Sequence, residues 1–334
     1  MVARALPLYP QTPATTPPRS VRLSLTDRCD LACIYCRPHT HDGYLRAEER
    51  LDLDAWKTMV TGLVRAGVRR VRLTGGEPLL HRDVVSVVRF LHELELDDIA
   101  LTTNATRLAT LAQPLREAGL RRINVSLDSL DPERFARMTR GGDLAGVLAG
   151  VDRAREVGFD EIKLNAVVVR GENDAEVEAI VRWAWAKGIV PRFLEVMAIG
   201  EGANLADRVV TASEVRARLV HLLEHEEPTG EADRGPARYV HARGGSGKKV
   251  GFITGTSDTY CAGCDRLRVA SDGTLRPCLA TNDGLGAADV ARAGDANGVA
   301  ERTAAAWRLK PDGETWKGCT EPDAADVSMR GIGG

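Results

Sequence analysis

Residues 29–36, read as CDLACIYC, carry three thiols, Cys29, Cys33 and Cys36, at intervals of three and then two residues. A second triad, Cys261, Cys264 and Cys278, lies near the other end of the chain. Thiolates are soft ligands that favour zinc, copper(I) or iron–sulfur clusters. A structural zinc site is closed by four ligands. His39 or His41 in the following RPHTHDG could supply the fourth, so spacing alone leaves zinc open. A four-iron cluster held by three cysteines has one iron without a protein ligand, and that iron can bind a small molecule. Two such triads would give two clusters, each with an open iron. Cys319 is left over, and a lone cysteine is more often inert than functional.

Residues so placed need a scaffold, and the sequence offers one between Val21 and Met197. Short β-branched runs (VRLSLT, RRVRLTGG, IALTTN, RINVSLD, EIKLNAVVV and VPRFLEVM) alternate with helical stretches such as LDAWKTMVTGLVRAG and DAEVEAIVRWAWAKG. Six βα units in series predict a parallel sheet covered by helices, open or curled into a partial barrel. Because successive strand side chains point to opposite faces, Val21 and Leu23 share a face opposed to Arg22 and Ser24. Likewise Val71 and Leu73 oppose Arg70, Arg72 and Thr74, while Ile162 and Leu164 oppose Lys163. One face is apolar and fit for helices; the other is polar and cationic. A buried cationic face is costly unless something pairs with it, so an anionic ligand inside the barrel is expected. Arg192 and Met197 fall on opposite faces by strict alternation, so if both face inward a bulge must lie between them.

Beyond the barrel, SEVRARLVHLLEHEE predicts a helix, and PTGEADRGPARYVHARGGSGKK a turn-rich linker. The stretch VGFITGTSDTYCAGCDRLRVASDGTLRPC predicts a small β-rich unit with a turn at SDG. His221 and His225 spell H-x-x-E-H, an inverted zinc-protease pattern. With no third ligand evident, they read as surface histidines. Residues 1–20, rich in Pro and Thr, predict a disordered tail without the apolar core of a signal peptide. Clustered cysteines without a disulfide framework then fit a cytoplasmic protein. The net charge of −2 argues against a general nucleic-acid surface. No apolar run approaches the roughly 18 residues that a membrane span needs.

The motif C-x3-C-x2-C resembles that of the radical S-adenosylmethionine superfamily, as does GGEP (Gly75 to Pro78) after the second strand. The second triad, Arg266-Leu267-Arg268, RLSLTDRC and the Gly333-Gly334 terminus resemble, within it, the GTP 3′,8-cyclase (MoaA) family of molybdenum cofactor biosynthesis. The resemblance implies a partial (β/α)6 TIM-like barrel over 21–226 and a small β-rich C-terminal cluster-binding domain over 227–334. It implies a lyase with two [4Fe-4S] clusters, one on each cysteine triad. S-adenosylmethionine would be chelated by the first cluster and contacted by Tyr35, Gly76, Ser126 and Met197. GTP would be contacted by Arg22, Arg72, Thr102 and Lys163, and by Arg266, Leu267 and Arg268, with Arg70 and Arg192 as further triphosphate ligands. Arg22, Arg266, Arg268, Gly333 and Gly334 would take part in catalysis, the glycines by reaching into the site. The implied reaction uses a 5′-deoxyadenosyl radical to take the C3′ hydrogen of GTP, after which the ribose attacks C8 of guanine.

The same resemblance implies a reductant such as flavodoxin or ferredoxin, transfer of product to cyclic pyranopterin monophosphate synthase, and a homodimer. The chain departs from the family at Arg37, where Met is usual, at Asp265, where Asn is usual, and in lacking a tryptophan after GEGAN. Two other readings remain at this point. One is a two-cluster radical enzyme acting on a peptide; the other is a zinc-stabilised binding module.

Overall fold

Six strands run parallel in chain order: β1 (Ser20–Ser24), β2 (Arg70–Thr74), β3 (Asp98–Thr103), β4 (Arg122–Ser126), β5 (Glu161–Val168) and β6 (Val190–Glu195). The computed structural model describes residues 17–38, 43–230, 235–258, 260–281, 283–311 and 331. Most of the expected tail, together with His39, His41, Cys319, Gly333 and Gly334, therefore lies outside the described residues.

The helices include α1 (Leu53–Arg65), α2 (Val84–Glu93), α3 (Leu108–Glu117), α4 (Pro132–Thr139), α5 (Leu144–Val157) and α6 (Val177–Ala186). Their starts are written in the sequence. Asp52, Asp131 and Asp143 each accept a hydrogen bond from the first turn of the helix that follows, which satisfies N–H groups the helix itself cannot. The apolar strand face of Val21, Leu23, Val71, Leu73, Val125 and Leu164 is fully buried in one continuous core beneath these helices. The polar face turns inward onto a cavity of about 610 Å³. This is the expected partial barrel.

The C-terminal part extends the same sheet at both edges. The short helix α7 (Ala212–Arg218) leads to β7 (Thr229–Gly230), β8 (Arg238–His241) and β9 (Lys249–Ile253), and β9 pairs parallel with β6. The chain then crosses to the opposite edge, where β10 (Arg266–Val269) pairs parallel with β1. Antiparallel β11 (Thr274–Arg276) and β12 (Leu285–Gly286) follow. The SDG segment makes the turn between β10 and β11, with Gly273 at φ +84° and its N–H bonded to the Ala270 carbonyl at 2.9 Å. After α8 (Ala288–Arg292), α9 (Ala296–Arg308) packs on α1. A Cβ on Gly62 of α1 would lie 2.5 Å from Val299, so only glycine permits this approach.

Three expectations are corrected. The helix expected over 213–227 ends at Arg218, because the chain beyond it turns to join β8. Leu223 bridges Ala242, and the Glu224 N–H bonds the His241 carbonyl at 2.9 Å. His221 then meets Glu178 and His225 meets Arg243, so the two histidines do not converge. The expected linker contains β7 and β8, whose Tyr239 and Val240 are buried. No bulge separates Arg192 from Met197, since the β5–β6 register is unbroken from Val190 to Glu195. Met197 lies past the strand end, where the backbone turns with the Ile199 N–H on the Met197 carbonyl at 2.8 Å.

Candidate active site

Arginines crowd one wall of the cavity. Register places Arg22 of β1 between Arg268 of β10 and Arg72 of β2, on strands about 4.8 Å apart. Burial, then the charges of Arg268, Arg266 and Arg72, push the Arg22 guanidinium well below its usual range. Burial first and neighbouring arginines second bring Arg72 and Arg268 down to about 10. Packed like charges of this kind call for an anion.

Other cations at this wall are held by partners. Arg192 donates from Nε to Asn165 at 2.9 Å and from Nη2 to Asn124 at 2.6 Å. Arg122 bridges Asp98 and Glu161, and Arg70 pairs with Asp265. Thr102, Arg70, Arg192 and Arg266 all line the cavity. Two of the expected nucleotide contacts are placed differently. Lys163 is 1% exposed, bonded to Tyr239 at 3.1 Å and Glu161 at 3.2 Å, and stands behind the lining. Leu267 is buried in the core, on the face of β10 opposite Arg266 and Arg268.

The first triad sits beyond the C-terminal end of β1. Its loop is pinned by Ala32 and Ile34, whose N–H groups bond carbonyls of Thr139 and Met138 at the end of α4. On the other side the Gly76 and Glu77 N–H groups reach the carbonyls of Thr26 and Arg28 at 2.6 and 2.7 Å. A Cβ at Gly76 would come 2.3 Å from the Arg28 oxygen, so this contact requires glycine. Cys29, Cys33 and Cys36 all line the cavity, as do Tyr35, Gly76, Ser126 and Met197. The Tyr35 hydroxyl donates to Asp128 at 2.6 Å, while Asp128 also accepts from the Val167 N–H at 2.8 Å.

Burial pushes the Cys29 thiol up to about 12 and Cys33 well above its usual range, with the neighbouring cysteines adding to both. Three thiolates there need compensating metal charge. Leu31 offers its N–H to Cys29 Sγ at 3.5 Å, a contact of the kind that tunes cluster sulfurs. Among the described residues, no three His, Cys, Asp or Glu groups converge closely enough to clasp one ion. A lone zinc would need its sulfurs about 2.3 Å from a shared centre, whereas a cluster takes each thiolate on a separate iron. The donor set fits a cluster.

The second triad lies at the opposite end of the same strands. Cys261 and Cys264 precede β10, which runs parallel to β1, and Cys278 follows β11, which returns to that end. Five residues of β1 put about 17 Å between the two ends. Although burial opposes it, the charges of Arg266 and Lys310 draw the Cys264 thiol down to about 7. Lys310 also donates to the carbonyls of Arg266 at 3.0 Å and Pro277 at 2.9 Å, stitching the two cysteine loops together.

Sequence reasoning missed several of these residues. Lys310, in RLKP, carries no motif. Period-two alternation puts Asn124 and Asn165 on the polar face without giving them a task, which follows from reaching across strands to Arg192. Glu77 belongs to GGEP, yet its task is internal: buried, it accepts from Thr103 Oγ1 and the Asn104 N–H, both at 2.7 Å. Burial lifts its carboxyl to about 7.

Residues 23–184 match the Radical SAM superfamily, and residues 189–316 match Molybdenum Cofactor Synthesis C. The chain is 42% identical over 271 residues to the GTP 3′,8-cyclase of Rhodopseudomonas palustris, covering 79% of this chain and 77% of that one. It is 41% identical over 300 residues to the GTP 3′,8-cyclase of Ectopseudomonas mendocina, covering 87% and 89%. Among solved structures, Streptococcus suis SuiB bound to S-adenosylmethionine gives a TM-score of 0.59 at 14% identity, covering 94% of this chain and 72% of that one. That likeness speaks for the fold alone. The superfamily match brings with it S-adenosylmethionine and an iron–sulfur cluster. With relatives this similar along most of both chains, the protein belongs to the GTP 3′,8-cyclase family of radical S-adenosylmethionine enzymes.

Proposed function

We propose that this chain converts GTP to (8S)-3′,8-cyclo-7,8-dihydroguanosine 5′-triphosphate, the first step of molybdenum cofactor biosynthesis. One observation carries the reading: two cysteine triads stand at opposite ends of β1 and β10, with the row of Arg22, Arg72 and Arg268 between them. When bound, the first cluster and S-adenosylmethionine supply a 5′-deoxyadenosyl radical that removes the C3′ hydrogen of GTP.

The chain itself binds, orients and excludes water. Cys29, Cys33 and Cys36 hold the first cluster, and the wall of Tyr35, Gly76, Ser126 and Met197 receives S-adenosylmethionine. Cys261, Cys264 and Cys278 would hold a second four-iron cluster, whose iron without a protein ligand would be available to the guanine. Arginine forks bind phosphate oxygens bidentately, so a triphosphate relieves the mutual repulsion of Arg22, Arg72, Arg266 and Arg268. Arg192, oriented by the amides of Asn165 and Asn124, offers its guanidinium to the ligand. Lys163 supports from behind the lining, and Leu267 packs β10 beneath its two arginines. A flavodoxin or ferredoxin supplies electrons, and the product passes to cyclic pyranopterin monophosphate synthase.

Anaerobic reconstitution tests the reading. About eight irons per chain and cyclised nucleotide formed only with GTP present are the expected results. Stoichiometric zinc with little iron, or S-adenosylmethionine cleavage that leaves GTP intact, overturns it.

A further inference from the structure

Arg70 opens β2 and Asp265 immediately precedes β10, and the two strands are not neighbours, because β1 runs between them. Their side chains nevertheless meet across the start of β1, where Ser20 is small enough to be bridged and its N–H bonds the Asp265 carbonyl at 3.3 Å. Both residues line the cavity. Four other carboxylates line it too, and each is engaged elsewhere: Glu77 with Thr103, Asp98 with Arg122, Asp128 with Tyr35, and Glu195 with Ser257. Asp265 is thus the lining carboxylate that engages a member of the arginine wall expected to meet phosphate. Its side chain is 37% exposed while that of Arg70 is 14% exposed, so the acid can swing away more readily than the base.

We propose that Asp265 is a specificity-determining residue, an internal counter-ion that occupies Arg70 until the phosphate chain of the nucleotide displaces it. The inference rests on the GTP reading above. A phosphate offers more charge and a bidentate match to the guanidinium, whereas a partly exposed single ion pair is weak, so displacement runs in favour of the nucleotide. The exchange still carries a penalty: Arg70 must give up a partner, and Asp265 remains near the incoming anion. Ligands with few negative charges cannot displace the pair. Asp265 therefore raises the charge a ligand must bring while weakening triphosphate binding in absolute terms.

Binding measured under anaerobic conditions on iron-loaded protein tests this without turnover. D265N should tighten GTP binding about three- to tenfold and GMP binding by a larger factor, so that the variant discriminates less by charge, with no change for guanosine. D265S, which also removes the charge, should behave alike, and iron content should match wild type in both variants. Unchanged or weaker GTP binding in both variants, or an equal change for guanosine, would overturn the inference. If wild-type protein binds no GTP, the functional reading fails instead; if wild type binds and the variants bind no tighter, this inference alone fails.

Discussion

The Tyr35 hydroxyl, in the first cysteine loop, donates at 2.6 Å to the buried carboxylate of Asp128, just beyond β4, at the first-triad end of the cavity. Burial lifts the Asp128 carboxyl to about 6, against the bonds from Tyr35 and Val167. In the unfolded chain this acid ionises near 3.8. Between those values the folded state binds more protons, so stability falls as pH rises through the window and is lowest above it.

D128N keeps both bonds, since the amide oxygen accepts from Val167 and the phenol can accept from the amide. The wild type should lose about 2 kcal/mol more than D128N on going from pH 4 to pH 7. Denaturant titrations at a series of pH values read the difference. Parallel pH profiles would show that Asp128 is not the group responsible.

The arginine row makes an opposed pair of expectations. R22Q removes one phosphate fork and one source of repulsion. GTP affinity should fall at least about tenfold, while the thermal midpoint of nucleotide-free protein should not fall. A drop of several degrees would make Arg22 a structural residue.

That row was legible in the sequence because period-two alternation separates Arg22, Arg72 and Lys163 from Val21, Val71 and Ile162. What alternation could not show is which cations the protein pairs internally. Lys163 has the right parity, yet Glu161 and Tyr239 draw it behind the lining. Leu267 was placed in the site by motif, although its parity, opposite to its two arginines, already consigned it to the core. The strands at the sheet edges were harder. β7 and β8 lie among glycines and charges, and they exist because β9 offers an edge to pair with, a tertiary cause no local pattern records. The end of β8 in turn recruits Leu223 and Glu224 and stops the helix expected over 213–227.

Gly76 is a steric prediction. G76A forces its Cβ to within 2.3 Å of the Arg28 carbonyl unless the loop moves. Overpacking of this kind costs about 1–3 kcal/mol. The displaced loop carries Cys29, so S-adenosylmethionine affinity should fall by more than tenfold, on the order of the same energy. Equilibrium binding of S-adenosylmethionine at wild-type strength would contradict this.

Lys310 holds the two loops of the second triad through the carbonyls of Arg266 and Pro277. K310M keeps the stem and loses the ammonium. Iron should drop toward about four per chain, with the first cluster retained. Iron analysis with low-temperature paramagnetic resonance reads this, and a variant with full iron at both sites would show that Lys310 is dispensable.

The central claim is that the nucleotide lies between the two triads with its ribose turned toward the S-adenosylmethionine end. GTP carrying deuterium at C3′ tests it most directly, with reduced, iron-loaded protein and S-adenosylmethionine analysed by mass spectrometry. Deuterium should appear in 5′-deoxyadenosine in step with the cyclised product. Unlabelled 5′-deoxyadenosine, formed as fast without GTP as with it, would contradict the account.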